Sequence, residues 1–130
     1  MSGSKTRILV IDDEFVIRSF LQEILVFSGY EADTAATAKD GLALFGQNPY
    51  DLVVSDLGLP EISGWEVAKA VKSANPQVPV ILLSGWGIEL EDARIKECGI
   101  DLVLSKPCQM DEILTAVGRF VTRGNADVSH

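Results

Sequence analysis

The chain has few cysteines, little positive charge and no long apolar stretch. Its 2 cysteines, Cys98 and Cys108, match neither a disulfide framework nor a metal-ligand spacing, so we expect free thiols in a reducing, cytoplasmic compartment. Lysine and arginine number 11 against 19 aspartates and glutamates, a net charge of −8. This charge repels nucleic-acid backbones and anionic lipids. The longest apolar runs are strand-sized, so the sequence predicts no membrane segment.

The length of the chain bounds its domain organisation. With 130 residues, 47% of them hydrophobic, it can bury one core but leaves no room for two ordinary domains. We expect one domain over 7–121, a disordered or cloning-derived N-terminus over 1–6, and a polar tail over 122–130. We expect no effector domain after the last helix, although the tail is also compatible with a linker cut from a longer protein.

Strand-like and helix-like patterns alternate along the chain. Apolar, β-branched runs predict strands at 7–11, 30–35, 51–56, 78–84 and 101–105. Apolar residues at helical spacing predict helices near 15–27, 37–47, 64–74, 88–97 and 109–121. Continuous apolar strands joined by helices pair in parallel and are buried on both faces. The sequence therefore predicts an α/β fold with a doubly wound, five-stranded parallel sheet.

Polar residues that can take part in chemical reactions lie at the carboxyl ends of four of these strands. Asp12 and Asp13 follow the first strand, Asp56 ends the third, Ser84 ends the fourth, and Lys106 follows the fifth. The carboxyl ends of parallel strands share one edge of the sheet, where open α/β folds bind ligands. Three neighbouring carboxylates repel one another unless a cation neutralises them, and magnesium prefers oxygen ligands. We therefore expect a divalent cation, a hydroxyl and an ammonium in one cleft.

Each feature taken alone also has an ordinary structural explanation. The acidic run 12–14 could cap the first helix. Asp56 could be a turn residue before a Gly-Pro loop, and Ser84 and Lys106 lie in common turn sequences. Their joint placement at one sheet edge favours chemistry over these separate explanations.

These residues, in this order, resemble the receiver domain of two-component response regulators, in the CheY-like superfamily, over roughly residues 7–121. The matching segments are Ile-Asp-Asp-Glu at 11–14, Asp56, Leu57-Gly58-Leu59-Pro60 followed by Gly64, Ser84, and Lys106-Pro107. The resemblance implies a flavodoxin-like fold with strand order 2-1-3-4-5. It also implies phosphoryl transfer from a histidine kinase or a phosphotransfer histidine.

The resemblance also implies roles for individual residues. Asp56 would be the phosphoacceptor, Ser84 the switch hydroxyl and Lys106 the phosphate contact. Mg²⁺ would be held directly by Asp13 and Asp56, through water by Asp12, and by the carbonyl of Gly58. The chain would then be a signalling switch near the fourth helix that catalyses its own phosphorylation and dephosphorylation, rather than a turnover enzyme.

The chain departs from the family pattern at Val103, where Tyr or Phe is common three residues before the lysine. We therefore expect activation to rely on movement around Gly85-Trp86-Gly87, with the Trp86 indole hindering the water that would attack an aspartyl phosphate.

Three other functions occur on such a fold, and the sequence argues against the first two. A flavodoxin-type cofactor binder would not present an acidic first loop to a phosphate. A phosphatase with an aspartyl nucleophile would need a second acid where Gly58 stands. A receiver-like interaction module that works without phosphorylation stays open, as does a homodimer through the fourth and fifth helices. The helix faces at 88–95 and 110–117 are too generic to name a partner.

Overall fold

The structure is a computed structural model that describes residues 6–85, 92–106 and 109–121. The sequence predictions for residues 1–5, Trp86 with its flanking loop, Pro107, Cys108 and residues 122–130 lie outside these ranges. The elements are β1 (Arg7–Ile11), α1 (Phe15–Phe27), β2 (Glu31–Ala35), α2 (Ala38–Gln47), β3 (Leu52–Asp56), α3 (Gly64–Ala74), β4 (Val80–Ser84), α4 (Asp92–Cys98), β5 (Leu102–Ser105) and α5 (Met110–Val121). The predicted alternation of strands and helices is confirmed.

The five strands form one parallel sheet in the order β2-β1-β3-β4-β5. The chain adds β2 on one side of β1 and β3 on the other, so the direction of winding reverses between β1 and β3. At that point Ile11 lies beside Ser55, and in the next pair Asp56 lies beside Leu83. Open α/β sheets bind their ligands outside the carboxyl ends of the strands at such a reversal.

Alternate residues of the strands face two separate hydrophobic layers. Leu9 and Ile11 of β1 pack with residues of α2, α3 and α4, whereas Ile8 and Val10 pack with residues of α1 and α5. All five residues of β3 and of β4 are buried. The sheet therefore has a helical layer on each face, which is why its strands read as uninterrupted apolar runs.

Local sequence signals explain several element boundaries. The Thr37 hydroxyl caps α2 by accepting a hydrogen bond from the Asp40 N–H at 3.0 Å. The predicted bounds of α3 match the structure, and Val67, Ala68 and Val71 are buried as expected. The predicted start of β4 at Val78 is wrong, because the strand begins after Pro79, which has no N–H to donate.

The helix predicted at 15–27 is confirmed as α1, but its apolar residues are not all buried. Leu21, Ile24 and Leu25 are buried, but Phe15 is 70% exposed and Phe27 is 91% exposed. The apolar residues of this helix therefore occupy two faces, of which one covers the sheet. No helix among the described ranges is long and apolar enough to span a bilayer.

Polar clusters join the strands near their amino ends. Asp33 Oδ2 accepts a hydrogen bond from the Tyr50 hydroxyl at 2.7 Å and forms an ion pair with Arg7 Nη2 at 3.0 Å. Near the amino ends of β4 and β5, Asp101 Oδ2 accepts from the Val80 N–H and from Lys72 Nζ, each at 2.8 Å. Each carboxylate thus connects segments that are distant in sequence.

Candidate functional site

Three strand ends bring the predicted site residues together. Asp12 directly follows β1, and its N–H donates to the Ala35 carbonyl at 3.1 Å, which fixes the backbone beside β2. Asp56 is the last residue of β3. Lys106 follows β5, and its N–H donates to the Ser84 carbonyl at 2.8 Å. The carboxyl edge of the sheet therefore positions all three through backbone hydrogen bonds or strand pairing.

The Lys106 side chain connects two buried carboxylates. Lys106 Nζ lies 3.2 Å from Asp12 Oδ2 and 3.3 Å from Asp56 Oδ1. Because β4 lies between β3 and β5, the flexible lysine stem must cross the end of that strand to reach them. The contacts bring Asp12, Asp56 and Lys106 together, as the sequence predicts.

Asp13 completes a cluster of three carboxylates. Asp12, Asp13 and Asp56 each offer an oxygen within 4.8 Å of the others; Asp12 and Asp56 are buried and Asp13 is exposed. Asp12 Oδ1 accepts a hydrogen bond from the Glu14 N–H at 2.9 Å. Asp12 Oδ2 is buried, and apart from its ion-pair contact with Lys106 it has no hydrogen-bond partner in the described part of the chain. This oxygen set suits a hard divalent cation.

The electrostatics of the cluster show that it holds an excess of negative charge. Burial raises the pKa of Asp12, and the charge of Asp56 adds to this, although the Glu14 N–H and Lys106 act in the opposite direction. Burial alone would lower the pKa of Lys106, but the carboxylates of Asp12 and Asp56 outweigh it and the pKa is raised. Lys106 therefore stays charged, and ionised Asp12 remains unfavourable without further positive charge.

The loop after β3 holds the Asp56 carboxylate and packs closely on α3. The Gly58 N–H donates to Asp56 Oδ1 at 3.2 Å, a contact that sequence reasoning did not predict. A Cβ at Gly58 would meet nothing within 4 Å, whereas a Cβ at Gly64 would lie 2.5 Å from the Asp56 carbonyl oxygen and 2.7 Å from Leu57 Cα. Gly64, rather than Gly58, is therefore the glycine whose lack of a side chain the packing requires.

Ser84 lies at the same edge of the sheet. It is buried at the end of β4, beside Ser105 and one position beyond Leu83, the register partner of Asp56. Its hydroxyl donates to the Gly85 carbonyl at 3.4 Å. Val103, which stands where the family pattern has an aromatic residue, is half-buried and packs against the layer formed by α2, α3 and α4.

Two contacts near the cluster were not predicted from the sequence: one involves Arg18, and the other involves Glu14, which was considered only as a helix cap and as part of the acidic motif. Arg18 Nη1 donates to the Asp12 carbonyl at 2.9 Å, and its guanidinium lies over the Phe15 ring at 5.6 Å. Glu14 is the N-cap residue of α1, but its side chain makes no capping hydrogen bond; instead, Glu14 Oε1 lies 3.5 Å from Lys106 Nζ. Arg18 lies one helical turn after Glu14, and its N–H donates to the Glu14 carbonyl at 2.9 Å. This spacing of four residues is the sequence signal that could have pointed to the pair.

Known sequences resemble the chain over most of its length. The family model of the response regulator receiver domain matches residues 8–118. The chain is 30% identical over 123 residues to the transcriptional regulatory protein PcoR of Escherichia coli, covering 95% of this chain and 54% of PcoR. It is 34% identical over 111 residues to the transcriptional regulatory protein DltR of Streptococcus agalactiae, covering 85% and 50%. The chain thus spans about half the length of these curated relatives.

Solved structures resemble the fold. A CheY-like receiver domain protein from Methanospirillum hungatei superposes with a TM-score of 0.88 at 27% identity, covering 95% of this chain and 99% of that one. The response regulator TrrA from Thermotoga maritima, in complex with Mg²⁺-BeF, superposes with a TM-score of 0.81 at 35% identity, covering 89% and 99%. Together with the strand order, these superpositions confirm the predicted flavodoxin-like fold.

Proposed function

The chain belongs to the response regulator receiver domain family of two-component systems, and we propose that it is a phosphorylation-dependent switch whose phosphoacceptor is Asp56. One observation carries the proposal: a lysine ammonium lies 3.3 Å from the carboxylate of Asp56, beside two further carboxylates at one sheet edge. The proposed phosphodonor is a histidine kinase or a phosphotransfer protein.

In this proposal, Asp56 is the nucleophile. A carboxylate oxygen forms a bond to phosphorus while the phosphorus–nitrogen bond of the donor breaks, and the electron pair leaves with the histidine nitrogen. The Gly58 N–H and Lys106 both contact Asp56 Oδ1 and so orient the carboxylate. Lys106, whose pKa is raised, stays cationic and pairs with the oxygens of the transferred phosphoryl group.

The carboxylate cluster is proposed to hold Mg²⁺. Asp13 and Asp56 would be direct ligands, Asp12 would bind through water, and the carbonyl of Gly58 would complete the protein ligands. The bound ion would neutralise negative charge on the transferred group. Two observations support this assignment: apart from its ion pair with Lys106, the buried Asp12 Oδ2 has no hydrogen-bond partner in the described residues, and the TrrA structure contains Mg²⁺-BeF.

Ser84 is proposed to read the phosphorylation state. A phosphoryl group on Asp56 adds charge and strong acceptors, so the Ser84 hydroxyl gains a contact that exists only in the phosphorylated state. Val103 provides no aromatic ring to rearrange with it. We therefore propose that the signal reaches α4 through the segment that follows Ser84.

The proposed working unit is residues 7–121, acting in the cytoplasm on protein partners. The net charge of −8 argues against direct nucleic-acid binding. Self-association through α4 and α5 is a further proposal. An interaction module that works without phosphorylation would not need the cluster of Asp12, Asp56 and Lys106, and the energetic cost of that cluster argues against this alternative.

The test is the intact mass of the protein after incubation with Mg²⁺ and acetyl phosphate, repeated with phosphoramidate. We expect the parent to gain one labile phosphoryl group and the Asp56→Asn variant to gain none. Asp111→Asn, which removes an exposed carboxylate from α5, is the matched control and should behave like the parent. Labelling of Asp56→Asn, or no labelling of the parent by either donor, would contradict the proposal.

A further inference from the structure

Glu14 places a third carboxylate on Lys106, and neither the helix cap nor the metal cluster accounts for it. Its side chain caps no N–H of α1, and Glu14 is not one of the three residues of the carboxylate cluster. Its Oε1 instead lies 3.5 Å from Lys106 Nζ. The Glu14 side chain is 61% exposed, compared with 0% for Asp12 and 9% for Asp56. Glu14 is therefore the solvent-exposed partner of this ammonium.

The position of Glu14 matters because of the direction in which a phosphodonor must approach. Asp56 is buried, so the donor comes from solvent and its leaving group departs toward solvent, roughly in line with the attacking oxygen. Because Glu14 Oε1 and Asp56 Oδ1 both lie within 3.5 Å of one nitrogen, they are at most about 7 Å apart, where charges interact even in water. The charge of Glu14 thus acts on the space through which the leaving group passes.

Phosphodonors differ in the charge of the group that leaves. In protonated phosphohistidine and in phosphoramidate, the nitrogen bound to phosphorus carries positive charge; when the phosphorus–nitrogen bond breaks, the nitrogen keeps the electron pair and departs as neutral imidazole or ammonia. In acetyl phosphate the phosphorus–oxygen bond breaks, and the oxygen keeps the pair and departs as acetate. A nearby carboxylate attracts the first kind of donor and repels the second.

We propose that Glu14 is a specificity-determining residue that favours phosphodonors whose leaving group is cationic while it is bound to phosphorus over anionic acyl phosphates. The inference rests on the proposed function, because it concerns transfer to Asp56. It explains why an exposed carboxylate lies beside an already crowded group of acids. A unit charge at about 7 Å in water changes a rate by roughly threefold, and its effects on the two kinds of donor have opposite signs.

The experiment compares the rate constants of phosphorylation by acetyl phosphate and by phosphoramidate, measured by intact mass with Mg²⁺ at fixed ionic strength. Glu14→Gln should raise the ratio of the acetyl phosphate rate to the phosphoramidate rate by about threefold or more, and Glu14→Lys should raise it further. The matched control is Glu23→Gln, an exposed carboxylate on the same helix, roughly 13 Å along the axis from Glu14. It should leave the ratio at the parent value.

The ratio separates donor selection from a purely structural role. If Glu14 only positioned Lys106, Glu14→Gln would change both rates by the same factor, and that result would overturn the inference. An equal shift of the ratio in Glu23→Gln would also overturn it, because net charge would then be the cause. A parent that accepts phosphate from neither donor would instead contradict the proposed function, and the inference would fail with it.

Discussion

The ammonium of Lys106 lies 3.2 Å from Asp12 Oδ2, although the two residues are separated by almost the whole length of the domain. This contact supplies positive charge to a carboxylate that is completely buried. Because Asp56 shares the same ammonium, one cation compensates two acids. The stability of the site should therefore depend on Lys106 and on divalent cations together.

Lys106→Met should destabilise the protein in buffer without divalent cations. Removing one partner of a buried ion pair leaves an uncompensated charge, which costs about 3 kcal/mol. Urea unfolding with and without Mg²⁺ measures the effect, and we expect Mg²⁺ to restore part of the loss. Lys39→Met, at an exposed position, is the control and should change the free energy of unfolding little. Equal free energies of unfolding for Lys106→Met and Lys39→Met would show that Lys106 does not compensate the charge of the carboxylates.

Asp12→Asn should stabilise the protein at neutral pH when divalent cations are absent. Burial raises the pKa of Asp12, so the folded state holds the proton more tightly than the unfolded state. The associated stabilisation is present below the ordinary pKa of the carboxyl and is lost as the pH rises through the raised pKa. Urea unfolding as a function of pH should show an advantage for Asp12→Asn that shrinks toward about pH 4.

The same variant should respond differently to Mg²⁺. We expect Mg²⁺ to stabilise the parent and to stabilise Asp12→Asn much less, because a neutral amide supplies no negative charge to attract the cation and accepts a hydrogen bond from a metal-bound water less strongly than a carboxylate does. Glu23→Gln, which removes an exposed carboxylate from α1, should keep the parent response. A parent more stable than Asp12→Asn at neutral pH without divalent cations would contradict the raised pKa.

Gly64→Ala should destabilise the protein and slow phosphorylation. The new Cβ would lie 2.5 Å from the Asp56 carbonyl oxygen and 2.7 Å from Leu57 Cα, and backbone atoms cannot rotate away as side chains do. We expect a cost of about 2 kcal/mol, as for other overpacked sites. Gly46→Ala, at an exposed position of α2 where a Cβ meets nothing within 4 Å, is the matched control. Thermal unfolding and phosphorylation rates of the two variants test the contact, and similar behaviour of both would refute it.

Tyr50→Phe should destabilise the protein by about 1 kcal/mol, the usual worth of a hydrogen bond, because the Tyr50 hydroxyl donates to Asp33 Oδ2. Burial, with the adjacent Asp33 carboxylate, raises the pKa of Tyr50 to about 12. The stabilisation is therefore complete below the ordinary tyrosine pKa of about 10 and is lost as the pH rises through about 12.

The pH dependence of Tyr50 is measurable by tyrosinate absorbance. The chain has 2 tyrosines, so a Tyr30→Phe background isolates the signal of Tyr50, whose midpoint should lie near 12. Tyr50→Phe should remove the loss of stability in that range. A midpoint for Tyr50 at the ordinary tyrosine value would show that its hydroxyl does not bond Asp33.

The sequence predicts the sheet and the carboxylate cluster because both follow from local patterns. β3 and β4 read as continuous apolar runs since both of their faces are covered by helices. Once the strands are parallel, Asp12 and Asp56 must lie at the same edge, and the structure brings them together with Asp13. Neither step needs knowledge of a particular long-range contact.

Other features depend on contacts that no local pattern encodes. Periodicity identifies α1 as a helix but does not tell which of its two apolar faces covers the sheet, so the exposure of Phe15 and Phe27 was not foreseen. The Glu14–Lys106 pair joins two residues that are 92 positions apart in the sequence. The need for glycine at position 64 arises only when α3 packs on the end of β3.

The polar clusters at the amino ends of the strands stabilise the fold at a distance from the carboxylate cluster. Arg7 begins β1, Asp33 lies beside Leu9, and Asp12 follows the end of β1, so the Arg7–Asp33 pair lies roughly 10 to 16 Å from Asp12 along the strand. That distance exceeds the Debye length of about 8 Å at physiological salt. Charges at the amino edge can therefore change during evolution, or be engineered for thermal tolerance, with little effect on the field at Asp56. Descendants of this sequence can change their thermal stability largely independently of their signalling chemistry.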